Sequence, residues 1–363
     1  MLGEVTFTKD WIEEASKRYG NRRKKADPEL IEKVTKALHL LETLTCTGLD
    51  FIFKGGTSLL LLFQQIHRFS IDIDIIIENT KENTNIGSAL DEVIKNSGVF
   101  LRYEENKRYS DKDIPKAHYK IYYISVLDGI EKYILLDILF EKSHYSQIVH
   151  KDINCDFINY KEPARFVNIP SIDCILGDKL TAFAPNTTGI PYGKNKELEI
   201  VKQLFDVANL FDLMSDSDTV RETFKSMAQQ ELQYRGLEKD YTYLDVLDDI
   251  FYTSKIIGSR GGIERNIFLD LEKGVRSIKD YIFSMNYIIE SAVNSASKAA
   301  YLSLLLKHEI EIERFHKDID LNLYTINSPD FKNFNRIKKF DPEAYYYWYK
   351  CIEILEKGYF SKV

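Results

Sequence analysis

Cysteine, proline and long apolar runs are all scarce in this chain. Its 363 residues include 4 cysteines, 8 prolines and 17 glycines. Cys46, Cys155, Cys174 and Cys351 form no CxxC pair and have no histidine at metal-ligand spacing, which argues against a disulfide framework and against a zinc site. So little glycine and proline excludes a fibrous or low-complexity chain. The longest unbroken apolar run, Leu59 to Phe63, falls far short of the roughly 18 residues that a membrane-spanning helix needs, so no bilayer crossing is expected. Trp11 is followed closely by Glu13 and Glu14, and no apolar segment with a small-residue cleavage site appears near the start, so a cytoplasmic location is the default expectation. An excess of cations is missing too. With 49 Lys plus Arg against 56 Asp plus Glu, the net charge is −7, unlike a protein coated for nonspecific nucleic-acid binding. One local patch stands out: Lys17, Arg18, Arg22, Arg23, Lys24 and Lys25 gather around Gly20, either as a solvated loop or as a backbone contact for RNA.

What is present is core-forming material. The sequence is 44% hydrophobic and contains 23 Tyr and 21 Phe, a globular composition whose length suggests about two domains. Leu30, Ile31, Val34, Leu38 and Leu41 recur at three- and four-residue steps and predict an amphipathic helix. Phe51-Ile52-Phe53 is β-prone and ends at Gly55-Gly56, after which Thr57 and Ser58 are placed to cap a helix running to Ile66. From Ser70 to Ile77 the pattern alternates, with Ile71, Ile73 and Ile75 on one face and Asp72 and Asp74 on the other. A helix is expected from about Ile86 to Asn96, and strands over Phe100–Tyr103, Tyr119–Leu127 and Tyr133–Phe140. From Ile172 the periodicity turns helical almost to the end, in Val220–Leu232, Leu244–Ile257, Ile278–Leu306 and Tyr345–Leu355. The Pro185–Lys196 connection suggests domains over 1–185 and 186–363. The expected fold class is α/β, a mixed sheet flanked by helices and followed by a helical bundle. Tyr345-Tyr346-Tyr347-Trp348-Tyr349 reads as a packed helix more readily than as a base-stacking platform.

Three features carry chemistry. Lys54-Gly55-Gly56-Thr57-Ser58 is not a Walker A loop, because the lysine precedes the glycines. It still offers backbone N–H groups at a helix start, where a phosphate can meet the positive end of the dipole, although a plain tight turn is the commoner reason for such a glycine pair. Asp72 and Asp74, one pleat apart, repel each other unless the strand is solvated or a divalent cation joins them. Asp137 sits among Leu135, Leu136, Ile138 and Leu139, a run apolar enough for a buried strand. On an adjacent strand it would complete a three-carboxylate set for Mg²⁺ or Mn²⁺, the arrangement used in two-metal phosphoryl transfer. No histidine is placed for a base role; His67 precedes the acidic motif and is expected to face away, leaving a carboxylate as base.

Gly55-Gly56-Thr57-Ser58-Leu59 followed by Arg68-Phe69-Ser70-Ile71-Asp72-Ile73-Asp74 resembles the GGTSL and RxSxDxD signatures of AbiEii/MenT-type nucleotidyltransferase toxins, members of the DNA polymerase β-like nucleotidyltransferase superfamily. Later blocks resemble the family as well: Lys179 within Asp178-Lys179-Leu180-Thr181-Ala182, and Asp206 within Lys202-Gln203-Leu204-Phe205-Asp206-Val207. The resemblance spans about residues 50 to 213. One position departs, since family members often carry an acid where this chain has Gln203. The resemblance implies a nucleotidyltransferase-fold sheet and a Mg²⁺-dependent transfer of NMP from an NTP, most of all to the 3′ end of tRNA, which blocks translation. It implies metal binding by Asp72 and Asp74, and nucleotide binding by Gly55, Gly56, Thr57, Ser58 and Arg68. Lys179 would neutralise the triphosphate, with Asp206 either orienting it or touching the nucleotide, and truncating this helix lysine is expected to leave the fold intact. Ser70 would be an active-site position where phosphorylation adds charge beside Asp72 and opposes metal and triphosphate binding. A cognate antitoxin is the implied partner.

Two rivals remain at this point. A transferase modifying an antibiotic or a protein would use the same carboxylates, and a noncatalytic module would keep the fold to hold a nucleotide or a partner. Lys332, Arg336, Lys338 and Lys339 are further candidate contacts for an RNA backbone.

Overall fold

The computed structural model of the chain describes residues 2–20, 25–81, 83–107 and 114–357. Arg22, Arg23 and Lys24 of the basic patch lie outside the described residues. Two compact units emerge, one of Met1–Ser171 with Asp280–Asn286 and one of Ile172–Lys279 with Tyr287–Val363. The Pro185–Lys196 connection lies inside the second.

The first unit opens with α1 (Lys9–Arg18) and α2 (Pro28–Leu44). Asp27 caps α2 by accepting the Glu29 N–H at 3.0 Å, and Pro28 takes the first helical position, where its missing N–H costs nothing. Then come β1 (Ile52–Lys54), α3 (Gly55–Leu62), β2 (Ile73–Ile77), α4 (Ile86–Ser97), β3 (Phe100–Glu105), β4 (Lys116–Ile124), β5 (Glu131–Phe140), β6 (Ile148–Asp152) and β7 (Phe166–Pro170). The strands form one mixed sheet in the order β3-β4-β5-β2-β1-β7-β6. Central β2 runs parallel to β5 and antiparallel to β1, and its isoleucines are buried, as an inner strand covered on both faces requires. Helix α2 packs on α4 and β5. Its buried Glu32 accepts hydrogen bonds from the Ser125 hydroxyl at 2.6 Å and the Val126 N–H at 2.7 Å, anchoring the turn after β4.

The second unit is entirely helical apart from its connections: α5 (Ile172–Ala182), α6 (Glu197–Leu213), α7 (Ser217–Tyr234), α8 (Tyr243–Gly258), α9 (Arg265–Ser277), α10 (Ile289–His308) and α11 (Pro342–Lys357). Helix α10 touches α6, α8, α9 and α11 and is buried on nearly every face, which its alanine, serine and leucine content permits. Tyr345, Tyr346, Tyr347 and Trp348 are all buried, so the aromatic cluster is a packed helix. The Pro185–Lys196 connection is pinned by Asp249, which accepts from the Asn186 N–H at 2.8 Å and the Thr187 hydroxyl at 2.9 Å. Burial raises the Asp249 pKa above the ordinary carboxylate value.

Three expectations need correction. The run Ile278–Leu306 is not one helix: after a short turn at Ile278–Asp280, the chain returns to the first unit as an extended segment, and α10 starts only at Ile289. The acidic strand begins at Ile73 rather than Ser70, because the residues just before it pair elsewhere. Arg68 bridges to Ile282 and the Phe69 N–H donates to the Tyr281 carbonyl at 3.1 Å. Strands β6 and β7, at one end of the sheet, were absent from the periodicity reading. An aromatic nest secures the returning segment, with Phe283 lying 4.5 Å from Phe69 and 5.2 Å from Tyr19 between ring centroids. Phe283→Ala removes both ring contacts from a half-buried position and is expected to cost about 2 kcal/mol. Urea unfolding of the full chain followed by near-ultraviolet circular dichroism checks this; an unchanged midpoint would show that the nest does not hold the segment.

Candidate functional site

A two-residue side-chain period makes register decisive in this sheet, since in-register neighbours on adjacent strands point to one face. Lys54 of β1 is paired with Asp74 of β2, Asp74 with Asp137 of β5, and Asp137 with His118 of β4. Those pairings line up Lys54, Asp74, Asp137 and His118 across four strands. Adjacent strands lie about 4.8 Å apart, so Asp74 and Asp137 are immediate neighbours of like charge. Asp137 meets His118, whose Nδ1 lies 2.7 Å from Asp137 Oδ1. His118 is nearly buried while Asp137 keeps about a quarter of its side-chain exposure, 8% against 27%.

The double glycine is fitted to these acids. Gly55 has φ +78°, and a Cβ on it would fall 2.1 Å from Asp74 Oδ2, so the carboxylate lies directly against the first residue of α3. A Cβ on Gly56 would come 2.8 Å from Ser70 Oγ and 3.0 Å from Arg68 Nη2. Asp74 therefore flanks one glycine, and Arg68 with Ser70 flanks the other. Arg68 is buried, and its Nη1 donates to the Phe69 carbonyl at 3.0 Å. Lys54, the residue before α3, makes no side-chain cap to the helix, and the acceptor that lies against the positive end of the dipole is the Asp74 carboxylate.

Thr57 and Ser58 do not cap α3 as the sequence suggested. The Thr57 hydroxyl donates to the Asp72 carbonyl at 2.6 Å and the Ser58 hydroxyl to the Gly55 carbonyl at 2.8 Å, and both residues are fully buried. They brace the turn: Thr57 ties the helix start to the acidic segment, and Ser58 closes the first turn. Asp72 precedes β2 and is half-buried. The His67 ring packs edge-on against Phe63 at 5.1 Å.

Among the described residues, no group of three or more His, Cys, Asp or Glu is placed to hold a metal ion. The donor set nevertheless suits magnesium, a hard cation that usually takes one or two carboxylates and completes its shell with water and substrate phosphate. Asp74 and Asp137 supply hard oxygens in register on adjacent strands, with the Asp74 carboxylate against the glycine turn. A metal held partly by substrate fits these residues; a closed cage of protein ligands does not.

In the second unit, Lys179 in the last turn of α5 lies 3.0 Å from Asp206 of α6, and its Nζ donates to Gln203 Oε1 at 3.2 Å. Lys179 is 8% exposed and Asp206 1%. This is a buried ion pair rather than a surface lysine, and breaking such a pair by removing one partner costs about 3–5 kcal/mol. Truncating Lys179 is therefore not structurally silent, contrary to the expectation from sequence. Lys179→Ala should lower stability by about 3 kcal/mol, whereas Lys179→Met combined with Asp206→Leu should recover most of that loss. Thermal unfolding of the two variants decides it, and equal stability of Lys179→Ala and the parent chain would show that the pair carries no buried charge.

Sequence reasoning missed one residue here and one contact. His118 stands out only through its register with Asp137, and no local pattern marks it. Gln203 was noticed as a departure from the family, yet its bond to Lys179 depends on how α5 and α6 pack.

The model of the nucleotidyl transferase AbiEii toxin family, Type IV TA system, matches residues 43–267. Among solved structures, the chain is similar to a putative nucleotidyltransferase from H. pylori, with 18% identity over 79% of this chain and 97% of that one and a TM-score of 0.45. It is similar to JHP933 from Helicobacter pylori, with 16% identity over 77% and 94% of the two chains and a TM-score of 0.43. An antigenic nucleotidyltransferase-like protein from Paracoccidioides brasiliensis shares 14% identity over 60% of this chain and 95% of that one, at a TM-score of 0.36. No curated protein matches the chain. The family match takes in β1, α3, β2 and β5 with their glycines and acids and continues through the helices bearing Lys179 and Asp206, so this chain belongs to the AbiEii family of nucleotidyl transferase toxins of type IV toxin–antitoxin systems.

Proposed function

We propose that this toxin transfers NMP from an NTP to the 3′ end of an RNA, tRNA above all, and blocks translation by spoiling that end. One observation carries the reading: Asp74 and Asp137 stand in register on parallel strands with the Asp74 carboxylate against Gly55 at the start of α3. Two adjacent acids beside a phosphate-receptive helix start suit a nucleotide whose charge is shared with Mg²⁺ or Mn²⁺.

Asp72, Asp74 and Asp137 are the residues that would hold the metal. When bound, the metal neutralises charge on the triphosphate and on the departing pyrophosphate. The chain's own groups account for the rest. The amides of Gly55 and Gly56 receive the terminal phosphates, with Thr57 and Ser58 bracing that turn from within. Arg68 lies against Gly56 and offers a planar fork to the same phosphates. The family blocks assign Lys179 to the triphosphate's charge, with Asp206 holding it. A carboxylate of the acidic row accepts the proton as the acceptor hydroxyl attacks the α-phosphorus, the new P–O bond forming as the bond to pyrophosphate breaks. Catalysis in this scheme is mainly positioning and charge neutralisation. A cognate antitoxin is the proposed protein partner, and cytoplasmic tRNA the proposed target. Among the described residues, no helix is long and apolar enough to cross a membrane.

Ser70 has a place in this scheme. Its hydroxyl lies against Gly56, where a phosphoryl group would add roughly −2 charge at the position proposed for the nucleotide's phosphates. Incubating the chain with cellular RNA and each α-labelled NTP tests the whole reading. Labelled tRNA is expected, with a loss of about 100-fold or more in Asp72→Asn and Asp74→Asn and a comparable loss in Ser70→Glu but not Ser70→Ala. Labelling of a protein or an antibiotic instead would replace the acceptor, and transfer unaffected by either Asp variant would reject the site.

For RNA contact, Lys332, Arg336 and Lys339 are exposed, whereas Lys338 donates to the Leu321 carbonyl and lies 5.5 Å above the Tyr345 ring. The three exposed cations are the proposed phosphate contacts, and Lys338 is structural. Lys332→Glu with Lys339→Glu should weaken tRNA binding and make its salt dependence shallower by roughly one to two units of log–log slope. Fluorescence anisotropy across a salt series reads both; an unchanged slope would place the RNA elsewhere.

A further inference from the structure

The row of Lys54, Asp74, Asp137 and His118 ends in a histidine that lies outside the family's motif blocks. His118 is the in-register partner of Asp137, its Nδ1 lies 2.7 Å from Asp137 Oδ1, and it is nearly buried where the carboxylate is not. We propose that His118 is a positioning residue that fixes the Asp137 carboxylate for metal binding, an inference that rests on the reading given under Proposed function.

Electrostatics require such a residue. Asp137 is an immediate neighbour of Asp74, and two carboxylates about 4.8 Å apart at the strand level repel each other strongly where water is partly excluded. An aspartate has three staggered χ1 wells, and repulsion from Asp74 favours any of them that turns Asp137 aside. The imidazole opposes that rotation. A carboxylate can only accept, so Nδ1 carries the hydrogen and donates it to Oδ1, leaving Oδ2 as the oxygen for a ligand. The order of exposure agrees: the imidazole is the inner anchor and the carboxylate the outer group. His118 thus acts through Asp137 without touching substrate, in the manner of the hydrogen-bonding partners that hold metal ligands in place. Loss of such partners typically costs 10–100-fold in metal affinity.

Two polar substitutions of similar character separate positioning from mere packing. In His118→Asn the side-chain amide nitrogen takes the place of Nδ1, and in His118→Gln it takes that of Nε2. Binding of Mn²⁺ to the full chain is measured by electron paramagnetic resonance in the presence of non-hydrolysable α,β-methylene NTP analogues, so that no turnover is needed. His118→Asn should hold Mn²⁺ within about threefold of the parent chain, while His118→Gln should lose about tenfold or more. Melting temperatures of the two variants should agree, and kcat for RNA labelling should follow the metal affinities with little change in KM for the NTP. Equal Mn²⁺ affinity in the Gln variant and the parent chain overturns the role of His118 alone. No Mn²⁺ binding by the parent chain, or binding indifferent to Asp74→Asn, overturns the reading of the acidic row itself and the role of His118 with it.

Discussion

Repulsion between Asp74 and Asp137 is the constraint around which the first unit is arranged. Parallel pairing of β2 and β5 sets the two carboxylates side by side in the middle of the sheet, a placement unfavourable unless something opposes it. The surrounding residues read as answers to that charge. Lys54 occupies the register position on the far side of Asp74, and His118 the position beyond Asp137. The start of α3 brings the positive end of its dipole against the Asp74 carboxylate, which is possible only because Gly55 has no Cβ. A fold that gains only stability from its sheet has no reason to gather acids and then compensate them. A divalent cation with its phosphates would meet these same carboxylates.

The returning segment Asp280–Asn286 matters for the same site. Arg68 and Phe69 pair with Ile282 and Tyr281, and Phe69 packs edge-on or tilted against Tyr19, Phe157 and Phe283. That pairing sets the path of the chain into Ser70 and Asp72, while the Thr57 hydroxyl fixes the Asp72 carbonyl from the other side. The geometry of the acidic motif is therefore determined by residues two hundred positions apart in sequence. No fragment ending at Ser171 contains the strand-like partner of its own motif.

This separation explains what could be read from sequence and what could not. The alternation of isoleucine and aspartate announces the acidic strand because the period is local, and the glycine pair announces a turn for the same reason. Helix α2 was evident from Leu30, Ile31, Val34, Leu38 and Leu41, all of which are buried. The break at Ile278–Ile288 was invisible, since its apolar residues fit a helical period and only the partner segment at Arg68–Phe69 makes them extended. Thr57 and Ser58 resemble caps by residue type, yet their hydroxyls find backbone carbonyls that only the folded turn provides. His118 is one of 7 histidines and acquires meaning solely from the β4–β5 register.

Gln203 shows how one neutral residue can shape a charged pair. Lys179 is buried against a carboxylate, Asp206, and donates to an amide, Gln203, both of them on α6. A carboxylate at 203 would add a negative charge beside Lys179, and at short range in a poorly solvated setting a unit charge is worth several kcal/mol. That charge would oppose the arrival of any polyanion. The amide supplies the same hydrogen-bond acceptor without the charge, keeping Lys179 oriented and its positive charge balanced only once. For a lysine proposed to meet a triphosphate, an uncharged second partner preserves attraction that an acid would cancel, and the departure from the common family pattern is consistent with the chemistry proposed for the site.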